Sequence, residues 1–390
     1  MHRRAILQIA TAAALLALPG AAAAQDSVKI GLILPLTGPQ ASTGKQIKAA
    51  VELYIRENGA AVAGKKIDVI VKDDGAIPDN TKRIAQELIV NDKVSIIAGF
   101  GITPTALAVA PLATEAKVVE LVMAAGTSII TERSPYIART SFTVAQSTVP
   151  MAEWAAKNGI KKVVTMVSDF APGHDVENSF KDTFTKAGGQ IAESIRFPLA
   201  NPDFAPFLQR AADAKPDAIM IFVPSGQGGT FVKQFVERGL DKAGIRLIGP
   251  GDVTDDDLLN GMGDQVIGTI TAHFYSADHP SAKNKAYVEA FKKANNFRPN
   301  FMSVGGYDGM HLVYEALKKT GGKADGDSLI AAMKGMKWES PRGPVSIDPD
   351  TRDIVQNVYM RKVEKKGGEL YNVEFSTFEA IKDPVKAAKK

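Results

Sequence analysis

Residues 65–116 read KKIDVIVKDDGAIPDNTKRIAQELIVNDKVSIIAGFGITPTALAVAPLATEA. Two short runs rich in β-branched residues, at 65–73 and 94–100, alternate with longer stretches at 80–91 and 104–116. Ile84, Leu88 and Ile89 keep the spacing of one helical face, while the short runs are apolar without the alternation of a half-exposed strand. Such strand–helix units predict a parallel, doubly wound α/β sheet.

The pattern extends in both directions. SVKIGLIL at 27–34 and an amphipathic stretch at 44–57 precede it, and KVVELVM at 117–123 follows as a further strand. A second series then begins, with helices predicted at 146–157, 175–186, 203–212 and 229–238. Between and after them come the strands KKVVTMVSD (161–169), GQIAESIRF (189–197), DAIMIFV (217–223), IRLIG (245–249) and VIGTITAHF (266–274). The last third holds helices near 282–294, 303–320 and 328–333, then strands at 343–348, 354–364 and 369–375. Two series predict two α/β lobes, and the lack of a low-complexity linker between them predicts interleaving by several crossings.

The opening residues, MHRRAILQIATAAALLALPGAAAAQDS, place Arg3 and Arg4 before an apolar run from Ala5 to Leu18, then Pro19-Gly20 and small residues at Ala22 and Ala24. That is the pattern of a signal peptide over residues 1–24, and it implies export to the periplasm. The run is too short to cross about 30 Å of hydrocarbon, so no stable membrane insertion is expected. The remaining chain is long enough for two domains of about 100–200 residues each. A formal net charge of +4, two of it from the leader arginines, gives no footprint for nucleic acid. With no cysteine, disulfides, thiolate catalysis and cysteine-ligated metals are excluded.

Two strand exits offer binding chemistry. GFGITPT, Gly99–Thr105, follows a strand and opens a helix as a dinucleotide loop would, but Pro104 stands where that fingerprint needs glycine. A proline in the first helical turn instead leaves the Thr103 hydroxyl, the Thr105 amide and the helix dipole for an anion, a carboxylate cradle compatible with Thr103 also acting as a cap. VMAAGTS, Val122–Ser128, ends in small residues that let a ligand approach the backbone, with donors at Gly126, Thr127 and Ser128.

Catalytic and metal readings find little support. His2, His174, His273, His279 and His311 are scattered without ligand spacing, so neither a metal nor a cofactor is expected. SDFAPGHD, Ser168–Asp175, holds Ser, His and Asp within one short segment, whereas a nucleophilic triad is assembled from separate loops. TDDDLL, Thr254–Leu259, reads as a helix start.

Four segments, at 29–59, 71–118, 163–191 and 305–322, resemble the branched-chain amino acid (leucine/isoleucine/valine-type) family of periplasmic solute-binding proteins, through PLTG at 35–38, the pair Asp73-Asp74 and the strand–loop–helix around Thr103. The resemblance implies a type I periplasmic binding protein fold with two lobes joined by three hinge crossings. It also implies a monomer that delivers a small molecule to an ABC permease and its ATPase subunits, and no enzyme activity. The lobes are expected at 26–140 with 273–343 and at 141–272 with 344–390, hinged near 139–141, 272–273 and 343–344.

Carried over by position, the family's carboxylate loop falls on Thr103, Pro104 and Thr105, and its second anchoring loop on Ala124 to Thr127. The departures are informative. Where the second loop of amino acid binders has threonine, this chain has Gly126. Where they carry an acid for the ligand's ammonium, it has Gly251, with Asp252 beside it, and the Pro172 region and Pro224 replace expected aromatics. Burying an unpaired ammonium costs several kcal/mol, which disfavours an amino acid. Phe100, Phe170, Ser225, Gln227, Asp252 and His273 complete the expected site. Together these residues suit a small carboxylate ligand with a flat apolar body and a polar far end, an aromatic acid foremost. His273 or Asp252 would meet a distal hydroxyl or amide. A branched-chain or other amino acid or amide, a sensory role and a secreted enzyme on a similar fold are the alternatives.

Overall fold

The computed structural model describes residues 27–200 and 202–389; the expected signal peptide lies outside them. The first sheet is built around β1 (Ser27–Leu34), which pairs in parallel with β3 (Lys65–Asp73) on one side and β4 (Ile96–Gly99) on the other. β5 (Val119–Val122) and β6 (Ile137–Arg139) extend it in parallel, and the two-residue β2 (Ala61–Val62) closes the far edge antiparallel to β3. β1 shows why its sequence is apolar throughout. Ile30, Leu32 and Leu34 pack in one core with α1 (Ala41–Asn58), while Ile33 packs in another with α2 (Pro78–Val90) and α3 (Thr103–Ala116).

The second sheet repeats the scheme. α4 (Val144–Lys157), β7 (Lys162–Ser168), α5 (Ala171–Lys186), β8 (Gln190–Phe197), α6 (Ala205–Asp213), β9 (Ala218–Phe222), α7 (Gly228–Glu237), β10 (Arg246–Pro250) and β11 (Ile270–His273) follow in chain order. Val163 and Val167 of β7 join the core that holds residues of α4 and α5, and Val164 and Met166 join one with α6 and α7. α8 (Ala282–Asn295), α9 (Phe301–Lys319) and α10 (Gly326–Met333) return to the first half, where α9 lies along α1. Two glycines permit that packing: a Cβ on Gly305 would lie 2.3 Å from the Met123 carbonyl oxygen, and one on Gly306 would lie 3.0 Å from that of Ile47.

The chain ends in antiparallel strands that complete a nine-stranded second sheet: β12 (Lys337–Ser340), β13 (Gly343–Ile347), β14 (Ile354–Lys366) and β15 (Glu369–Ile381), before the short α11 (Pro384–Ala387). The parallel sheets expected from sequence therefore carry antiparallel edges. Because β12 pairs with β13, the third passage between the halves falls between Met333 and Lys337, ahead of the Gly343-Pro344 expected from sequence.

One side chain ties the passages together. Arg342 is fully buried and donates to the Ser141 carbonyl at 2.9 Å, to the Thr140 carbonyl, to Gln356 Oε1 at 2.7 Å and to Asp308 Oδ2, while its guanidinium lies 4.8 Å from the Phe274 ring centroid. A second buried network involves the chain's last turn. Lys386 Nζ donates to Asp353 Oδ2 at 2.6 Å and to the Thr131 hydroxyl, Arg139 Nε meets Asp353 Oδ1 at 2.9 Å, and the Ser128 hydroxyl donates to Asp383 at 3.0 Å.

Candidate functional site

In each sheet the strand order reverses beside a central strand, between β1 and β4 in the first and between β7 and β9 in the second. Loops that leave the carboxyl ends of such strands diverge and leave a crevice. The two crevices face each other across one cavity. Gln40, Gly101–Thr103 and Ala124–Gly126 line it from the first half, and Phe170, Pro172, Phe222, Pro224, Ser225 and Asp252 from the second. Phe142 and Val144, from the first passage, and Met302, at the start of α9, close its sides.

The first-half wall consists of donors. Thr103 stands in the first turn of α3 beside Pro104, and its hydroxyl lies 2.7 Å from that of Thr127. In the second loop the carbonyls are turned away from the cavity: Ala125 O accepts from Arg139 Nη1 at 3.2 Å and from the Ser141 hydroxyl at 3.2 Å, and Gly126 O accepts from the Val144 amide at 2.9 Å. The Gly126 amide meets no protein acceptor among the described residues. A Cβ at Gly126 would lie 3.1 Å from Val144 and 3.2 Å from the Phe142 ring, so a side chain there would push these neighbours back by a few tenths of an ångström. A helix start, a free amide and a hydroxyl make an anion site without any cationic side chain in its lining.

The second-half wall is aromatic at one end and charged at the other. The rings of Phe170 and Phe222 stack 6.1 Å apart at 18°. Ser225 donates its hydroxyl to Asp255, and the Gly226 amide donates to the same oxygen at 2.9 Å. Burial raises the Asp255 carboxyl well above the usual range, reinforced by Asp257. Burial likewise pushes Asp252 up to about 7, against the pull of its own backbone amide and Arg361. His273 is buried among Phe301, Phe274 and Phe142, with ring centroids 4.2, 4.5 and 5.4 Å away. That burial, with Arg361 and Arg342 nearby, drives its pKa well below the ordinary value. Gly251 has a packing reason to be glycine: a Cβ there would lie 1.9 Å from Arg361 Nη2 and 2.5 Å from His273 Cδ2.

Of the residues expected from sequence, Thr103, Ala124, Gly126, Phe170, Ser225 and Asp252 line the cavity. Thr127 stands behind Thr103 and bonds to it. Thr105 is turned inward, its hydroxyl donating to Ile102 O at 2.7 Å and its amide to the same carbonyl at 3.2 Å, so neither faces a ligand. Phe100 takes a left-handed backbone with φ of 66° and buries its ring in the core of α2 and α3. Gln227 also lies outside the lining and donates to Leu199 O at 3.0 Å, and His273 stands behind Asp252 with Nε2 3.8 Å from Oδ2. Gln40, Ile102, Phe142, Val144, Phe222 and Met302 were not expected. Of these Ile102 had a cue in the Gly99–Thr105 loop, Phe222 at the end of its strand and Gln40 just after the PLTG motif.

Hydrogen bonds outside the cavity also cross between the halves, among them Ser42 Oγ to Asp257 Oδ2 at 2.9 Å and the Ser128 amide to Asp175 Oδ2 at 3.1 Å. His174 pairs with Asp169 at 2.7 Å on the surface. No described residues cluster as a metal site, and among them no helix is long and apolar enough to cross a membrane.

Two doubly wound halves facing one crevice are the architecture of a two-lobed solute-binding protein. The chain belongs to the periplasmic binding protein family, whose model matches residues 27–369. It is 45% identical to Leu/Ile/Val-binding protein homolog 6 of Brucella melitensis, over 96% of this chain and 97% of that protein. Among solved structures it is similar to a solute-binding protein of an ABC transporter from Rhodopseudomonas palustris BisB5 in complex with 3,4-dihydroxybenzoic acid, at 73% identity and a TM-score of 0.91, covering 93% of this chain and 99% of that one. A second R. palustris solute-binding protein, in complex with 4-hydroxybenzoate, is 44% identical with a TM-score of 0.90, over 94% of this chain and all of the other.

Proposed function

We propose that this protein captures a benzoate-class aromatic acid in the cavity and delivers it to the permease of an ABC importer. The observation that carries the reading is the cavity's polarity: hydroxyl and amide donors at Thr103 and Gly126 on one side, stacked phenyl rings of Phe170 and Phe222 on the other. A carboxylate is held at the α3 start and the ring it bears lies against the phenyls. The two R. palustris relatives in complex with hydroxybenzoates support the same chemistry. An α-amino acid fits poorly. The position that would supply an acid is Gly251, packed against the Arg361 guanidinium, and burial raises the neighbouring Asp252 to about 7, which weakens it as a partner for an ammonium.

In this reading the halves close over the solute by bending at the three passages, and a solute shifts that equilibrium by binding the closed form more tightly. Isothermal titration against benzoate, 4-hydroxybenzoate, 3,4-dihydroxybenzoate and leucine tests it. Saturable binding of the aromatic acids with little heat from leucine is expected; tight leucine binding with none for the acids would overturn it. Small-angle scattering should show a smaller radius of gyration with the acid present.

A further inference from the structure

One carboxylate of the second half is met by two donors of the first. Asp257 stands in the loop after β10, partly exposed; its Oδ2 accepts from the Ser42 hydroxyl at 2.9 Å and its Oδ1 from the Asn300 side-chain amide at 2.9 Å. Both donors stand beside residues that shape the cavity. Ser42 lies in the first turn of α1, just after Gln40, and Asn300 caps α9, just before Met302; Gln40 and Met302 line the cavity. Asn300 is fully buried, and its Oδ1 accepts from the Met302 amide at 2.9 Å and the Ser303 amide at 3.3 Å, so its Nδ2 is the end that faces Asp257. Its backbone amide donates to Gln46 Oε1 at 3.2 Å, and Gln46 Nε2 donates to Arg298 O at 2.9 Å, which holds the start of α9 against α1.

We infer that Asp257 is the latch of the closed form, a carboxylate that meets both donors only when the halves come together, and that Asn300 is a positioning residue that ties the latch to the cavity through the start of α9. The inference rests on the proposed binding of an aromatic acid and closure over it. When the halves part the carboxylate returns to water, so its two bonds stabilise the closed form alone and do so whichever solute the cavity holds. They break on the way to release and are not yet made at first encounter, so the latch sets how long a solute stays rather than how fast it enters.

The test is an exchange of donor and acceptor, read by stopped-flow kinetics with benzoate and 4-hydroxybenzoate. Asn300→Asp keeps an oxygen to cap α9 but sets a second carboxylate against Asp257. Release should become about tenfold faster or more, by the same factor for both acids, with little change in the association rate. Asp257→Asn still offers an oxygen to Asn300 and should speed release only about two- to threefold. Together the two substitutions reverse the bond, an amide at 257 donating to a carboxylate at 300, and release should return to within about threefold of the wild type. Damage to the α9 start would add in the double variant rather than cancel, so the rescue separates a latch from a structural role. If Asn300→Asp fails to fold, Asp257→Ala on the partly exposed loop decides, with release about tenfold faster expected. Unchanged release in Asn300→Asp or in Asp257→Ala, or losses that add in the double variant, would overturn the latch while leaving the aromatic-acid reading standing. Binding of neither acid by the wild type would overturn both.

Discussion

The two walls of the cavity solve the problem of holding a polar solute by different means. The first-half wall uses hydroxyls and amides, Thr103, Thr127 and Gly126, none of which titrates near neutral pH. The second-half wall buries carboxyls, Asp252 and Asp255, whose charge is set by their surroundings. A donor wall of this sort grips any carboxylate. The tuned wall distinguishes one carboxylate-bearing molecule from another, because a buried acid tolerates few partners. In the proposed function, affinity and selectivity would thus reside in separate halves of the protein.

That division can be broken most sharply at Gly126. Gly126→Val places methyls against Phe142 and Val144 and into the anion site, and loss of solute binding by at least about a hundredfold is expected by titration, together with a lower melting temperature of the unliganded protein from the overpacking. Thr103→Ala with Thr127→Ala should weaken all aromatic acids alike, by about tenfold, the cost of removing hydrogen bonds to a charged group. Uniform weakening places these residues on the gripping side; a change in rank among ligands would not.

Ser42→Ala removes a bond between the halves that touches no part of the cavity lining. It should lower affinity only about two- to fivefold, through the closed form alone, and equally for every ligand.

The smallest effect on binding is expected at Glu120, in β5. This carboxyl is buried with both oxygens unpartnered among the described residues, and burial raises its pKa well above the usual range. A carboxyl whose pKa rises on folding contributes stability that is whole below its unfolded value, near 4.5, and fades as pH climbs through the native value. Glu120→Gln should therefore melt like the wild type near pH 4 and higher than it at pH 8, by roughly 2 °C for each kcal/mol recovered, with ligand affinity unchanged. A shift in affinity would show that the first half is not indifferent to buried charge.

The strand–helix alternation was legible because each unit carries its own pattern, as β1 and α2 show. Helix starts were read a few residues late where proline opens the first turn: α5 begins at Ala171, so Phe170 and Pro172 sit at its start and reach the cavity. Thr103, Gly126 and Asp252 could be found because they leave strand ends, where a binding loop is expected. Phe100 could not be placed from sequence, since one left-handed residue redirects its ring. Phe142, Val144 and Met302 were invisible for another reason. Phe142 and Val144 come from the first passage between the halves and Met302 from the first turn of α9, where no local periodicity marks which way a side chain points. The pairing of β12 is likewise a long-range choice that its four residues do not announce.

The tie between α11 and the loop at 128–131 bears on how the protein comes into being. Lys386 and Asp383 anchor a segment read some 255 residues earlier, immediately after the Gly126 amide. During synthesis or translocation the loop carrying Gly126 thus lacks this support until α11 has emerged, and a bulky group placed closely behind α11 would press on the contacts that hold that loop in place.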